Sequence, residues 1–192
     1  MTRIAIVVGS TRRGRRSELV AEWVARLAEK RDDAEFVVLD LADWDLPMFN
    51  DENPPALGTA PSDPQVKKWA VAVGACDGFV FITPEYNHSV PGVLKNAIDH
   101  LFYQWHHKAA GFVSYGSAGG VRAVEQLRLV LAEVKVATVR SQVFLSMFTD
   151  FSITDPSEPG EFHPGEQQEP ALEGMFDEVI AWSNALAPVR VA

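Results

Sequence analysis

Short apolar runs alternate with longer segments in which apolar residues recur every three or four positions. The first run, Ile4 to Val8, contains only Ile, Ala and Val and ends at Gly9, which is typical of a strand covered on both faces. The same alternation continues along the chain. It predicts further strands at 35–41, 77–83, 109–115 and 135–144, and helices at 17–30, 66–74, 91–103, 121–134 and 171–187.

Five strands that alternate with helices predict an α/β fold, with a parallel sheet between two helical layers. The expected strand order is 2-1-3-4-5. We expect a single domain over residues 1–192, because no repeat or low-complexity linker divides the chain. Residues 42–64 and 147–168 contain several prolines and are predicted to be irregular. Ligands of such sheets bind beyond the carboxyl ends of the strands, which makes the loops after the first, third and fourth strands the candidate site.

The loop after the first strand has the composition of an anion site. It leads into a helix whose free N–H groups and dipole favour a negative charge. It has neither the Gly-Lys-Ser/Thr ending of a Walker loop nor the three glycines of a dinucleotide fingerprint. A single phosphate, such as that of flavin mononucleotide (FMN), suits it, and the alternative is an ordinary turn with solvated arginines. Its candidate ligands are Ser10, Thr11, Arg12 and Ser17.

Composition narrows the class of protein. A net charge of −9 argues against general nucleic-acid binding, which needs a broad basic face. No apolar run reaches membrane-spanning length, and the N-terminal residues lack the pattern of a signal peptide. Cys76 is the only cysteine, so no internal disulfide forms, and we expect a soluble cytoplasmic protein with Cys76 in its core. Arginines at 12, 13, 15 and 16 either steer an anionic substrate or form a solvated patch.

Three histidines, His100, His106 and His107, lie close together in the sequence. Their spacing matches no metalloprotease or zinc-finger pattern, and no cysteine lies nearby. We therefore predict no metal site, and expect Tyr103, Trp105, His106 and His107 to cap a helix end or to line a subunit contact.

The loop after the third strand carries the most distinctive motif. Pro84-Glu85-Tyr86-Asn87 precedes the run Pro91-Gly92-x-Leu94-Lys95-Asn96-Ala97-Ile98-Asp99. Together with Gly9-Ser10-x-Arg12, this pattern resembles the NADPH-dependent FMN reductase family of flavodoxin-like proteins, which includes quinone, chromate and azo-dye reductases. The resemblance extends from Ile4 to about Phe144. Taken alone, Pro84 to Asn87 favours a plain β-turn, to which Pro and Asn are well suited.

The resemblance implies a flavodoxin-like three-layer sandwich that binds FMN without a covalent bond. The first loop would hold the phosphate, residues 84–87 would lie along the isoalloxazine ring, and the glycine loop at 116–120 would close on its pyrimidine side. Many members have Ser where Arg15 stands and Asn where Ser17 stands, so Arg15 or Arg16 would substitute electrostatically. The implied cofactor-binding residues are Ser10, Thr11, Arg12, Arg16, Ser17, Pro84, Glu85, Tyr86, Asn87, Ser89, Gly116, Ser117, Gly119 and Gly120.

The implied activity is hydride transfer from NADPH or NADH to FMN, followed by reduction of a quinone-like or other small acceptor. The flavin carries the chemistry, so we predict no catalytic side chain. Arg13, Arg15 and Arg16 are candidates for the nucleotide phosphate, with NADPH preferred. The alternatives are an FMN-binding electron carrier without nicotinamide turnover and an FMN-free regulatory or interaction module.

The family commonly assembles as homodimers or homotetramers in which a second subunit helps to wall the cleft. The predicted helix at 91–103 and the aromatic residues Phe102, Tyr103 and Trp105 are the candidate contacts. We therefore expect a homo-oligomer.

Overall fold

A computed structural model describes residues 1–190 of the 192-residue chain. Within them, parallel strands form a five-stranded sheet in the order β2-β1-β3-β4-β5, as predicted. The predicted domain includes residues 191 and 192, which lie outside the described range. The strands are β1 (Thr2–Val8), β2 (Ala34–Asp40), β3 (Gly78–Pro84), β4 (Lys108–Gly116) and β5 (Val136–Ser146). The helices are α1 (Ser17–Ala28), α2 (Pro64–Gly74), α3 (Gly92–Asp99), α4 (Val121–Glu133) and α5 (Gln168–Arg190).

Helices cover both faces of the sheet, as the apolar character of its strands requires. Every residue of β3 and of β4 is buried. Trp23 of α1 and Phe176 of α5 belong to the core on one face, whereas Trp69, Leu94 and Leu127, from α2, α3 and α4, belong to the core on the other. Each large apolar side chain buried in this way contributes roughly 1.5–3 kcal/mol. The sheet therefore holds its carboxyl-end loops on a rigid base.

Helix α3 is shorter than predicted and ends at Asp99 rather than at residue 103. Trp105 is completely buried, and its indole Nε1 donates to the carbonyl of Ile98, 3.1 Å away, near the end of the helix. His107 has a φ of 58° in the turn that follows. Burial removes Trp105 from the surface, so its predicted role in a subunit contact is wrong, whereas Tyr103 is exposed.

Between β2 and α2 the chain is irregular apart from two 3₁₀ turns, at Leu41–Asp43 and Pro55–Leu57, and the predicted irregular segment ends where α2 begins at Pro64. Asn96 of α3 holds this segment, because its Oδ1 accepts from Phe49 N and its Nδ2 donates to Pro47 O, both at 2.8 Å. His100 Nε2 lies 2.8 Å from the same Pro47 oxygen. Residues 1–190 contain no cluster of three His, Cys, Asp or Glu side chains suited to a metal ion.

Residues 147–168, predicted to be irregular, contain a two-stranded antiparallel hairpin of β6 (Phe151–Ser152) and β7 (Glu161–Phe162). The carboxylate of Asp150 closes its base by accepting from Ser146 N at 2.8 Å and from Gly165 N at 2.9 Å. Phe162 packs edge-on against Trp23 of α1, with ring centroids 5.7 Å apart. The strands are too short for a sequence pattern to reveal them, and their stability comes from this packing.

Candidate functional site

The first loop, residues 9–17, is fastened to the sheet where β1 ends. Gly9 N donates to Ile82 O of β3 at 2.8 Å. A Cβ at position 9 would lie 2.9 Å from that oxygen, so only glycine allows this approach. Ser10 is fully buried, and its hydroxyl lies 2.9 Å from the hydroxyl of Tyr86 in the loop after β3. The first and second candidate loops are therefore in direct contact.

Arg15 braces the first loop from inside. Its guanidinium makes two bonds of 2.6 Å to the carboxylate of Asp40 and also pairs with Glu18 at 2.9 Å. It donates to the carbonyl of Ser10 as well. Pairing with Asp40 raises the pKa of Arg15 despite its burial. The candidate role of Arg15 at a nucleotide phosphate is thus wrong, because the donors of its guanidinium bind these carboxylates and the loop backbone.

Arg16 and Ser17, by contrast, leave buried polar atoms free. Arg16 Nη2 donates to Glu158 O at 3.1 Å. Its Nε and the Ser17 Oγ are buried and have no hydrogen-bond partner among residues 1–190. The N-terminus of α1 also lacks a side-chain cap within the described chain. Burial, with repulsion from Arg12, lowers the pKa of Arg16. Free donors and positive charge at a helix start fit a bound phosphate.

The second loop, residues 84–89, makes a tight reversal. Tyr86 N donates to Ser89 O at 2.9 Å, and Ser89 N donates to Tyr86 O at 3.1 Å. The two central residues, Asn87 and His88, have φ values of 48° and 75°, as in a type I′ turn. The turn therefore spans Tyr86 to Ser89, two residues later than the β-turn that the sequence allows over Pro84 to Asn87. The turn presents Tyr86 and Asn87 at the surface of the site.

The third loop, residues 116–120, contacts the second through Glu85. Glu85 N donates to Tyr115 O at 3.2 Å, and its carboxylate accepts from Arg122 N at 3.2 Å and pairs with the Arg122 guanidinium. Gly120 has a φ of 70°, and a Cβ there would lie 2.9 Å from Tyr115 N. The carboxylate of Glu85 therefore joins the two loops and caps α4, which leaves its backbone as the part that can face a ligand.

The predicted site residues differ in how far they reach the surface. Ser10, Arg16, Ser17, Pro84, Gly116, Gly119 and Gly120 are buried, Glu85 and Ser89 are intermediate, and Thr11, Arg12, Tyr86, Asn87 and Ser117 are exposed. Arg12 bonds locally, with Nη2 donating to Gly14 O at 3.0 Å. The loops converge at the carboxyl edge of the sheet, as the strand order requires.

Tyr115 and the hairpin also lie at this edge of the sheet, but neither is among the site residues predicted from the sequence. Tyr115, at the end of β4, is buried, and burial raises its pKa. A weak interaction with the Ser17 hydroxyl, which does not reach hydrogen-bonding geometry, offsets part of this shift. The hairpin contacts the first loop at Gly14. This residue packs so closely against Ser157 that a Cβ on Gly14 would lie 1.9 Å from the Ser157 carbonyl oxygen. The position of Tyr115 at the carboxyl end of a central strand is a sequence feature that could have placed it at the site. The hairpin has no such feature, because its strands are too short to form a sequence pattern.

Comparison with known proteins places this geometry in a family. The sequence profile described as NADPH-dependent FMN reductase matches residues 2–150. The chain is 32% identical over 168 residues to an NAD(P)H-dependent FMN reductase of Schizosaccharomyces pombe. The aligned residues cover 85% of this chain and 84% of that protein. It is 29% identical over 150 residues to a quinone reductase of Escherichia coli, covering 74% and 76% of the two chains.

A solved structure agrees with these matches. The flavoenzyme NAD(P)H:(acceptor) oxidoreductase FerB of Paracoccus denitrificans superposes with a TM-score of 0.73 and 26% identity, over 96% of this chain and 98% of that one. No helix within residues 1–190 combines the length and apolar character needed to cross a membrane. The predictions of a flavodoxin-like fold, an oxidoreductase, and FMN and nicotinamide cofactors are confirmed. The chain belongs to the NADPH-dependent FMN reductase family.

Proposed function

We propose that this protein passes electrons from NADPH, through FMN held by the three loops, to a quinone-like acceptor. The observation that carries the proposal is the pair of buried polar atoms, Arg16 Nε and Ser17 Oγ, which lack partners in the described chain at the start of α1. Buried polar groups are nearly always hydrogen-bonded, so an unpaired pair beside a helix N-terminus points to a missing anion.

We assign the FMN phosphate to the first loop. Arg16 and Ser17 would donate to it from the buried side, and Ser10, Thr11 and Arg12 from the loop itself. Arg15 supports these residues without touching the phosphate, because its guanidinium is held by Asp40 and Glu18.

We assign the ring of FMN to the second and third loops. Tyr86 would border the ring in a fixed position, because its hydroxyl is tied to Ser10. Asn87 can donate and accept hydrogen bonds, as the polar edge of a flavin requires. The other residues of the second and third loops that we assign to the ring would contribute mainly backbone groups. They are Pro84, Glu85, Ser89, Gly116, Ser117, Gly119 and Gly120.

Bound FMN supplies the hydride chemistry, and the protein supplies binding and orientation. The side chains of the loops hold the cofactor in place rather than transferring protons. Arg12 and Arg16 lie close enough to each other to lower the pKa of Arg16, so together they make the phosphate side of the site positive. This charge favours both the cofactor phosphate and an approaching nucleotide.

Recognition of the nucleotide phosphate falls to Arg13. It is an exposed residue of the first loop, whereas Arg15 and Arg16 are buried. We expect Arg13→Ala to lower the ratio of kcat/KM for NADPH over NADH by about tenfold, through loss of a charge-assisted contact with the 2′-phosphate. An unchanged ratio would remove Arg13 from this role.

The proposal is tested by mixing the FMN-loaded protein with NADPH in a stopped-flow spectrometer. Bleaching of the flavin absorbance within seconds, followed by its return when a benzoquinone is added, is the expected result. Flavin that stays oxidised for minutes would indicate an electron carrier, and a protein that fails to retain added FMN would indicate an interaction module. A panel of quinones, azo dyes, metal oxyanions and free flavin then identifies the acceptor class.

We further propose a homodimer or homotetramer in the cytoplasm. Tyr103 is the exposed aromatic residue of the expected contact region, and its hydroxyl donates to Ala56 O at 2.9 Å. Light scattering of the wild-type protein and of Tyr103→Glu tests the assembly, because a buried carboxylate at a subunit contact would shift the mass toward the monomer. An unchanged mass would place the contact elsewhere.

A further inference from the structure

A second cleft, of about 390 Å³, lies at the amino ends of β3 and β4. This is the edge of the sheet opposite to the three loops, because those loops follow the carboxyl ends of the strands. The cleft contains basic and polar side chains that the proposed flavin chemistry does not use. Its lining includes Cys76, Asp77, His106, Lys108 and Arg190.

Lys108 is the unusual member of this set, because it is only 4% exposed. Its ammonium donates to the carbonyls of Val73 at 2.9 Å and Gly74 at 3.3 Å, in the last turn of α2. Within residues 1–190 it forms no salt bridge with a carboxylate, and burial lowers its pKa to about 8. The side chain is still mainly protonated at neutral pH, so the cleft contains a buried cation whose contacts are neutral: the two carbonyl groups and the face of the Phe79 ring, whose centroid is 5.5 Å away. Buried charges in proteins are normally paired.

The carboxylate in this cleft is already committed. Asp77 Oδ2 accepts from Arg3 N at 2.8 Å, and Asp77 Oδ1 accepts from Arg190 Nη2 at 2.8 Å. His106 is 9% exposed, and its Nε2 lacks a partner among the described residues. Lys108 and Arg190 give the lining two positive charges and Asp77 gives it one negative charge, so its net charge is +1. The chain as a whole has a net charge of −9.

We propose that this cleft binds a small oxyanion, of the phosphate or carboxylate class, with Lys108 as its counter-charge and His106 as a hydrogen-bond donor. Such an anion would pair the buried ammonium and give the imidazole a partner. The site is separate from the three loops and does not depend on the proposed electron transfer. Cys76 has no part in it, since its thiol donates to Ala72 O at 3.3 Å and burial raises its pKa.

The test uses the FMN-loaded protein, so that the first loop is not open to the added anion. Inorganic phosphate, sulfate and acetate are titrated by calorimetry at constant ionic strength, with sodium chloride as the salt control, and the His106 ring proton is followed by NMR. Saturable heat with one of the oxyanions, accompanied by a shift of the His106 signal, is the expected result. The oxyanion that saturates at the lowest concentration identifies the class.

Two variants test the location. We expect His106→Gln and Lys108→Gln each to weaken oxyanion binding by about tenfold or more, whereas Lys95→Gln should leave it unchanged. Lys95 is a matched control, because it is an exposed lysine paired with Asp99 on α3. If Lys108→Gln unfolds α2, because the lysine no longer donates to the carbonyls of its last turn, the comparison of His106→Gln with the wild-type protein decides the test. Equal affinity in His106→Gln and the wild-type protein, or heats that chloride reproduces, would overturn the proposal.

Discussion

Replacing Ser17 with alanine should have opposite effects on FMN binding and on the stability of the FMN-free protein. Ser17 is completely buried, and its hydroxyl has no partner within residues 1–190. If that hydroxyl donates to the FMN phosphate, Ser17→Ala removes a hydrogen bond to a charged group. Such a bond contributes about 1.5–3 kcal/mol, so the Kd for FMN should rise about 10- to 150-fold.

The same substitution should not destabilise the FMN-free fold. A buried hydroxyl without a partner costs free energy, so its removal should leave the free energy of unfolding unchanged or raise it by about 1 kcal/mol. FMN affinity is measured by quenching of flavin fluorescence, and stability by urea denaturation of the apoprotein followed by circular dichroism. A residue that only supports the fold would lose stability and affinity together, which separates the two roles.

Ser183 provides a matched control for this prediction. It is also a completely buried serine whose Oγ lacks a partner in the described part of the chain, but it lies on α5 against Gly78, at the amino edge of the sheet. Ser183→Ala should share the stability effect and leave FMN binding unchanged. Wild-type affinity in Ser17→Ala would refute the assignment of this hydroxyl to the phosphate, and a loss of stability above about 1 kcal/mol would show that it has a partner within the protein.

Three further predictions follow from single contacts. Arg12→Ala should raise the Kd for FMN by at least about tenfold, through loss of a charge-assisted contact, and an unchanged titration would exclude Arg12 from the site. Arg15→Met should lower the free energy of unfolding by about 1–3 kcal/mol, because the partly buried carboxylate of Asp40 loses its partner. The exposed Arg13→Ala should have little effect, and equal urea midpoints for Arg15→Met and the wild-type protein would contradict the bracing role. In phosphate-free buffer, the free energy of unfolding of the wild-type protein, relative to that of Lys108→Met, should rise by about 3 kcal/mol between pH 8 and 10.5. In this range the unfolded chain keeps a proton on Lys108 that the folded chain has lost, because burial lowers the pKa of Lys108 to about 8. A difference that does not change with pH would show that burial does not perturb Lys108.

The sheet was predictable because its strands are continuous apolar runs that need cover on both faces. Runs such as Ile4 to Val8 leave few alternatives to a buried parallel strand, and the spacing of helices then determines the layers. The position of the site followed from the same argument, since loops after β1, β3 and β4 must share one edge. The end of α3 was not predictable, because Leu101 continues the helical spacing of Leu94 and Ile98 although the helix ends at Asp99.

The arginines of the first loop show where sequence reasoning stops. Arg12, Arg13, Arg15 and Arg16 look alike as a cluster, yet Arg12 and Arg13 are exposed and the other two are buried. The difference comes from distant partners: Asp40 at the end of β2 binds Arg15, and Glu158 of the hairpin binds Arg16.

The hairpin also explains why the first loop holds its shape. The family profile matches residues 2–150, so the hairpin, which begins at Phe151, lies beyond the matched region. Gly14, with a φ of 64°, packs against Ser157, and Glu158 fixes one end of the Arg16 guanidinium while Arg16 Nε stays free. Contacts that join residues more than 140 positions apart carry no local sequence signal. The segment that seemed least ordered in the sequence therefore forms the outer support of the proposed phosphate site, and fixed donors there reduce the entropy that binding would otherwise cost.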